Sequence, residues 1–144
     1  MRYAHDTTVP VERSRAEIER LITRYGADKY GTGWTGKAAW IAFETQGRMV
    51  RFILPLPQAD QFRATRSYEQ ACRQRWRALV LLLKAKLEAV ESGISVFERE
   101  FLAHIVLPGG ETVGEVIAPQ IAAAYASGRM PQALLPDYSA EASA

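Results

Sequence analysis

A chain of 144 residues, 48% hydrophobic and 24% charged, has the size and balance of one soluble domain that folds without metal or disulfide staples. Its net charge of +2 excludes a strongly polybasic protein, and its single cysteine, Cys72, excludes an intrachain disulfide framework. No apolar run reaches membrane-spanning length, the longest compact one being Ala78 to Leu83.

Residues 1 to 10 read as an extended lead-in without the apolar run of a signal peptide, so the expected location is the cytoplasm. A first helix follows. Ser14 and Glu17 stand at capping-box spacing, and Pro10 marks an alternative, earlier start. Ile18, Leu21, Ile22 and Tyr25 form one apolar stripe, and Gly26 is placed to end the helix.

Residues 28 to 56 read as a three-stranded antiparallel meander. Gln46-Gly47 separates two alternating runs as a hairpin turn does. That turn opposes Thr45 to Arg48, Phe43 to Val50, Ile41 to Phe52 and Ala39 to Leu54 on one face, the buried one. Trp40, Ala42 and Glu44 lie on the other face with Met49, Arg51 and Ile53, and the C-terminal helices are expected to cover it in part. A turn at Thr35-Gly36 places Tyr30 beside Ile41. Pro55 and Pro57 end the last strand.

Ser67 and Gln70 are spaced to cap a long helix that Gly93 ends. A short helix from Ser95 to about His104 has Ser95 and Glu98 at capping spacing. Pro108-Gly109-Gly110 is a turn. Thr112 and Glu115 cap a last helix, Val113 to Ala126, with Pro119 inside it. The fold class is α+β, a three-stranded antiparallel sheet packed by a long helix with additional N- and C-terminal helices. Residues 1–137 form the single domain, and 138–144 a flexible tail.

The long helix carries the functional expectation. With Trp76 as reference, Tyr68, Cys72, Leu79, Leu83, Leu87 and Val90 share a core stripe at 100° per residue. Arg66, Arg73, Arg77 and Lys84 align on one shoulder; Arg75 and Lys86 lie on the other. Such side chains either snorkel beside a buried face or track a phosphate backbone. The chain holds fourteen arginines against four lysines, a bias that suits planar contacts to phosphate and that a GC-rich genome also produces. Arg51 and Trp40, on the open sheet face, are secondary candidates for stacking and phosphate contact.

Other motifs carry less. GTGWTGKA, from Gly31 to Ala38, approaches a phosphate-binding loop, but Ala38 replaces the magnesium-binding hydroxyl and a strand follows where a helix is needed. His5 and His104 are the only histidines, and with one cysteine they define no zinc site. Glu100 and His104 are spaced for a helical surface contact. Glu88, Glu91, Glu98 and Glu100 read as a solvated acidic face. No catalytic residue, cofactor or metal is expected, and an enzyme is disfavoured.

The runs RMVRFILPLP and RQRWRALVLLLKAKLEAVESGISVFEREFLAHIVLPGG resemble small proteins encoded in bacteriophages and prophages. That resemblance implies an accessory protein, either a DNA-transaction factor or an inhibitor of a host system. The strand-strand-strand-long helix order also resembles the core unit of single-strand annealing proteins, at the level of fold alone. The expected function is a non-enzymatic nucleic-acid-binding accessory protein for DNA or RNA. The alternative is a protein-binding adaptor or host inhibitor. The segment VGEVIAPQIAAAY, rich in small apolar residues, suits a homodimer contact under either reading.

Overall fold

The computed structural model describes residues 4–131, so the expected tail lies outside the described residues. Helix α1 spans Val11–Tyr25. Pro10, not Ser14, sets its start: the Pro10 carbonyl accepts the first helical bonds from the N–H groups of Arg13 and Ser14. Proline's fixed φ and missing N–H suit a helix entrance, so the earlier of the two starts prevails. Ser14 is instead buried within the helix, and its Oγ has no hydrogen-bond partner among the described residues. Gly26 ends α1 in the left-handed conformation, at φ 103°.

The sheet is three-stranded and antiparallel in the order β1-β2-β3, with β1 Lys29–Trp34, β2 Ala38–Thr45 and β3 Arg48–Pro55. The β2–β3 register follows the turn chemistry: Thr45 faces Arg48, Phe43 faces Val50 and Ile41 faces Phe52. Gln46 and Gly47 both have positive φ, 52° and 73°, as a type I′ turn requires. The β1–β2 turn differs from expectation by one position. Thr35 and Ala38 close it around Gly36-Lys37, so Tyr30 pairs with Phe43 and not with Ile41. The Thr35 hydroxyl oxygen accepts from the N–H groups of Lys37 and Ala38, which favours this closure. The partner shifts by two residues, so Tyr30 keeps its core-side face.

Helix α2 spans Thr65–Glu91. It begins before Ser67, and the expected Ser67/Gln70 box does not form. Gln70 instead donates to the carbonyls of His5 and Thr7, tying the lead-in to the helix. The core is continuous: Ile18, Leu21 and Ile22 of α1 and Trp76, Leu79, Val80, Leu83 and Leu87 of α2 meet Ala39, Ile41, Phe43, Val50 and Phe52 of the sheet. The stripe is buried only from Trp76 onward. Tyr68 and Cys72 remain half-exposed, because the N-terminal turns of α2 contribute no buried residue.

The chain then closes the end of the sheet. The expected helix at 95–104 is a single turn, α3 (Phe97–Glu100), with Val96 and not Ser95 at its cap, followed by a 3-10 turn, Leu102–His104. Phe101 between them is fully buried, with its ring edge-on to Phe43 (5.8 Å) and Phe52 (6.2 Å). Ile105 forms an isolated bridge to Val50 of β3 and Val106 one to Thr112, the Val106 N–H donating to the Met49 carbonyl. Helix α4 spans Val113–Ser127 with the full Thr112/Glu115 capping box, and Pro119 lies within it.

His104 stacks on Phe52 with ring centroids 3.9 Å apart. Burial pushes its imidazole below the ordinary range, the Lys86 charge adds to this, and a backbone hydrogen bond at Arg51 opposes it. The folded chain therefore binds this proton less readily than the unfolded chain. Stability is complete above the ordinary imidazole value of about 6.5 and declines as pH falls through it toward the lowered folded value. Melting temperature should drop from pH 7 to pH 5, and His104→Phe should flatten that limb. An unchanged slope in the variant would remove His104 as its source.

Candidate nucleic-acid interface

The basic shoulder of α2 lies along the seam with α1. Arg77 Nη1 is 2.6 Å from Glu17 Oε2, and Lys84 Nζ is 2.6 Å from Glu17 Oε1. The side chains of Arg77 and Glu17 are only 17% and 21% exposed. The hydrogen bond from Lys84 holds the Glu17 carboxyl below the usual carboxylate range. Burial pulls the other way, and the Arg77 bond and both positive charges add to the lowering. Arg73 donates from Nε and Nη2 to Gln70 Oε1, at 3.0 and 2.8 Å. Arg66 is exposed at the start of the helix and has no ion pair among the described residues.

Arg51 and Trp40 lie on the opposite face of the sheet. Arg51 Nη2 donates to the Gly110 carbonyl (2.9 Å) and to Glu115 Oε1 (3.3 Å). Trp40 lies across β1, where a Cβ on Gly33 would come within 2.6 Å of its indole nitrogen. Glycine at that position is what admits the ring. The C-terminal segment reaches the Arg51 corner, while Trp40 and Ile53 stay exposed. The nominated residues therefore occupy separate places: Arg77 and Lys84 at the helix seam, Arg66 and Arg73 on the N-terminal turns of α2, and Arg51 and Trp40 on the outer sheet face.

A different grouping emerges around Trp34, which the sequence reading did not single out. Trp34 is the last residue of β1, and 64% of it is exposed. The Arg15 guanidinium carbon sits 4.9 Å from the Trp34 ring centroid and 5.5 Å from that of buried Trp76, so one planar cation bridges two indoles. Arg75 immediately precedes Trp76 in α2. Its Nη1 donates to the Pro55 carbonyl at 3.4 Å, and Pro55 pairs with Ala38 beside the β1–β2 turn. The Leu56 N–H donates to the Lys37 carbonyl and Gln58 Nε2 to the Gly36 carbonyl. Trp34, Lys37 and Arg75 thus share one end of the domain with the exposed N-terminal turns of α2. Strand parity assigns Trp34 to the core face. Only the placement of the helices leaves it uncovered, and that information is tertiary.

The remaining motifs resolve simply. GTGWTGKA forms β1 and its turn, with no helix N-terminus behind it. Lys86 Nζ bonds the Glu100 carbonyl (2.9 Å) and approaches Glu100 Oε1 (3.5 Å), while the ring of His104 lies against Phe52. Glu98 pairs with Arg48, so the acidic run is divided. Among the described residues no helix is long and apolar enough to cross a membrane, and no group of three metal-ligating side chains converges. The fold and site together define a two-layer α+β domain with a basic, aromatic end. No family model matches the chain, and neither does any curated protein or solved structure.

Proposed function

We propose that this chain is a nucleic-acid-binding accessory protein whose contact surface is the Trp34 end of the domain. The supporting observation is the exposed indole of Trp34, held against the Arg15 guanidinium, with Arg75 bonded to Pro55 near the turn that carries Lys37 and with Arg66 exposed at the start of α2. Of these cations none forms an ion pair among the described residues. An exposed indole offers a stacking surface to an unpaired base, and the cations suit the flanking phosphates. A duplex keeps its bases stacked inside, so single strands fit this arrangement better. Arg77 and Lys84 act in this reading as ties between α1 and α2. Of the Arg66, Arg73, Arg77 and Lys84 line, Arg66 belongs to the contact surface in this reading.

Fluorescence anisotropy with single-stranded oligonucleotides over a salt series checks the proposal. For about three phosphate contacts the log-log salt slope should be roughly 2. Trp34→Ala should weaken binding about tenfold or more, and Trp34→Phe should retain most of it. Trp40→Ala, on the far face, should leave affinity unchanged. Binding absent at low salt, or equal in Trp34→Ala and the native chain, defeats the proposal. Equal affinity for polyglutamate would reduce the site to simple charge attraction. The second reading, a protein-binding adaptor or host inhibitor, is favoured by α4, which has no buried residue.

A further inference from the structure

Helix α4 seats only part of its apolar surface. Its first turn is anchored: the Thr112/Glu115 box caps it, Arg51 pairs with Glu115, and a Cβ on Gly114 would meet the Ala103 carbonyl at 2.9 Å. Beyond that turn, Val116, Ile117, Gln120 and Ala124 are half-buried, and the stripe Ala118, Ile121, Ala122 and Tyr125 faces outward. Tyr125 is 88% exposed and Ile121 48%. The i, i+3, i+4, i+7 spacing of that stripe is the pattern of a helix face that packs. An interfacial membrane helix would carry lysine or arginine along its polar face, and α4 carries none between Glu115 and Arg129.

We infer that the outward stripe of α4 docks antiparallel on α4 of a second copy of this chain, with the two-fold axis at Ala122. The charge pattern selects both partner and direction. The helix has one carboxylate, Glu115, near its start and one cation, Arg129, just past its end. Residues 116–128 are uncharged. An antiparallel copy centred on Ala122 sets each Arg129 opposite the partner's Glu115, whereas a parallel copy sets like charges together. Antiparallel pairing also opposes the helix dipoles favourably. Ala118 and Ala122 allow close approach, and Ile121 and Tyr125 supply the ridge that fills it. The contact is isologous, as a closed dimer requires. It lies on a different element from the Trp34 end and stands or falls separately from nucleic-acid binding.

The full chain should show a dilution-dependent dimer by light scattering, lost in Ile121→Glu without a fall in melting temperature. Arg129→Glu should weaken the dimer, and added salt should relieve part of that loss. In a Cys72→Ser background, mild oxidation of Ala122→Cys should yield a covalent dimer, because the two copies of that position meet at the axis. Ala118→Cys, displaced from the axis, should not. A native chain that stays monomeric at every concentration overturns the inference. A dimer indifferent to Ile121→Glu, or one linked better through position 118 than through 122, overturns it equally.

Discussion

Phe101→Ala should cost about 3–5 kcal/mol of folding stability, the range for deleting a large buried ring. The side chain is fully buried and lies within ring-contact distance of Phe43, Phe52 and Phe97, the last at 5.3 Å. It plugs the end of the sheet where α3, the following 3-10 turn and β3 converge. No neighbour is placed to refill the space without giving up its own packing. A domain of this size is stable by about 5–15 kcal/mol, so the variant should unfold at a much lower urea concentration. The slope of that transition should stay the same, since the surface exposed on unfolding is unchanged. Leu102→Ala, one residue on at a half-exposed site, should change stability by no more than about 1 kcal/mol. Equal effects at the two positions would show that Phe101 is not the plug.

Phe101 also marks where sequence reading stops. Gln46-Gly47 between two alternating runs specifies both a turn and a face, and the β2–β3 register follows from it residue by residue. The Thr112/Glu115 box works likewise, because a cap is a local bond. Around Thr35 a hydroxyl competes for the turn, and the register moves by two while the faces are kept. At 95–104 the local pattern reads as one short helix. The chain forms a single turn and then a 3-10 segment, because Phe97, Phe101 and Ile105 are drawn to the open end of the sheet. The same limit governs the site. Helical angle places Arg77 and Lys84 on one shoulder, as found, but angle says nothing of what stands beside that shoulder. Glu17, sixty residues before Arg77, is that neighbour.

Arg77→Glu should destabilise the fold by about 2 kcal/mol, below the 3–5 typical of a fully buried pair because both groups keep some contact with water. It sets a second carboxylate against Glu17 and leaves Lys84 as the one cation paired with it among the described residues. Arg66→Glu, at an exposed site of the same helix, should shift stability by no more than about 0.5 kcal/mol. Lys84→Ala, with its partly exposed ammonium, should cost less than about 1 kcal/mol. The acid response supplies a second readout. Since the folded Glu17 carboxyl lies below its ordinary value, its contribution is complete above about pH 4.3 and is lost as pH falls through the lowered folded value. Glu17→Gln should therefore shrink the acid limb of the stability profile. Combining Glu17→Gln with Arg77→Met should recover part of the single-variant losses, because neither member of the less exposed Glu17–Arg77 pair is then left without the other, and the 44% exposed Lys84 ammonium is solvated. If Arg77→Glu proves as benign as Arg66→Glu and the acid limb persists in Glu17→Gln, the seam is not an ion-pair tie. Arg77 and Lys84 would then rejoin Arg66 as free cations on the face of α2, and the nucleic-acid contact would extend along the whole helix.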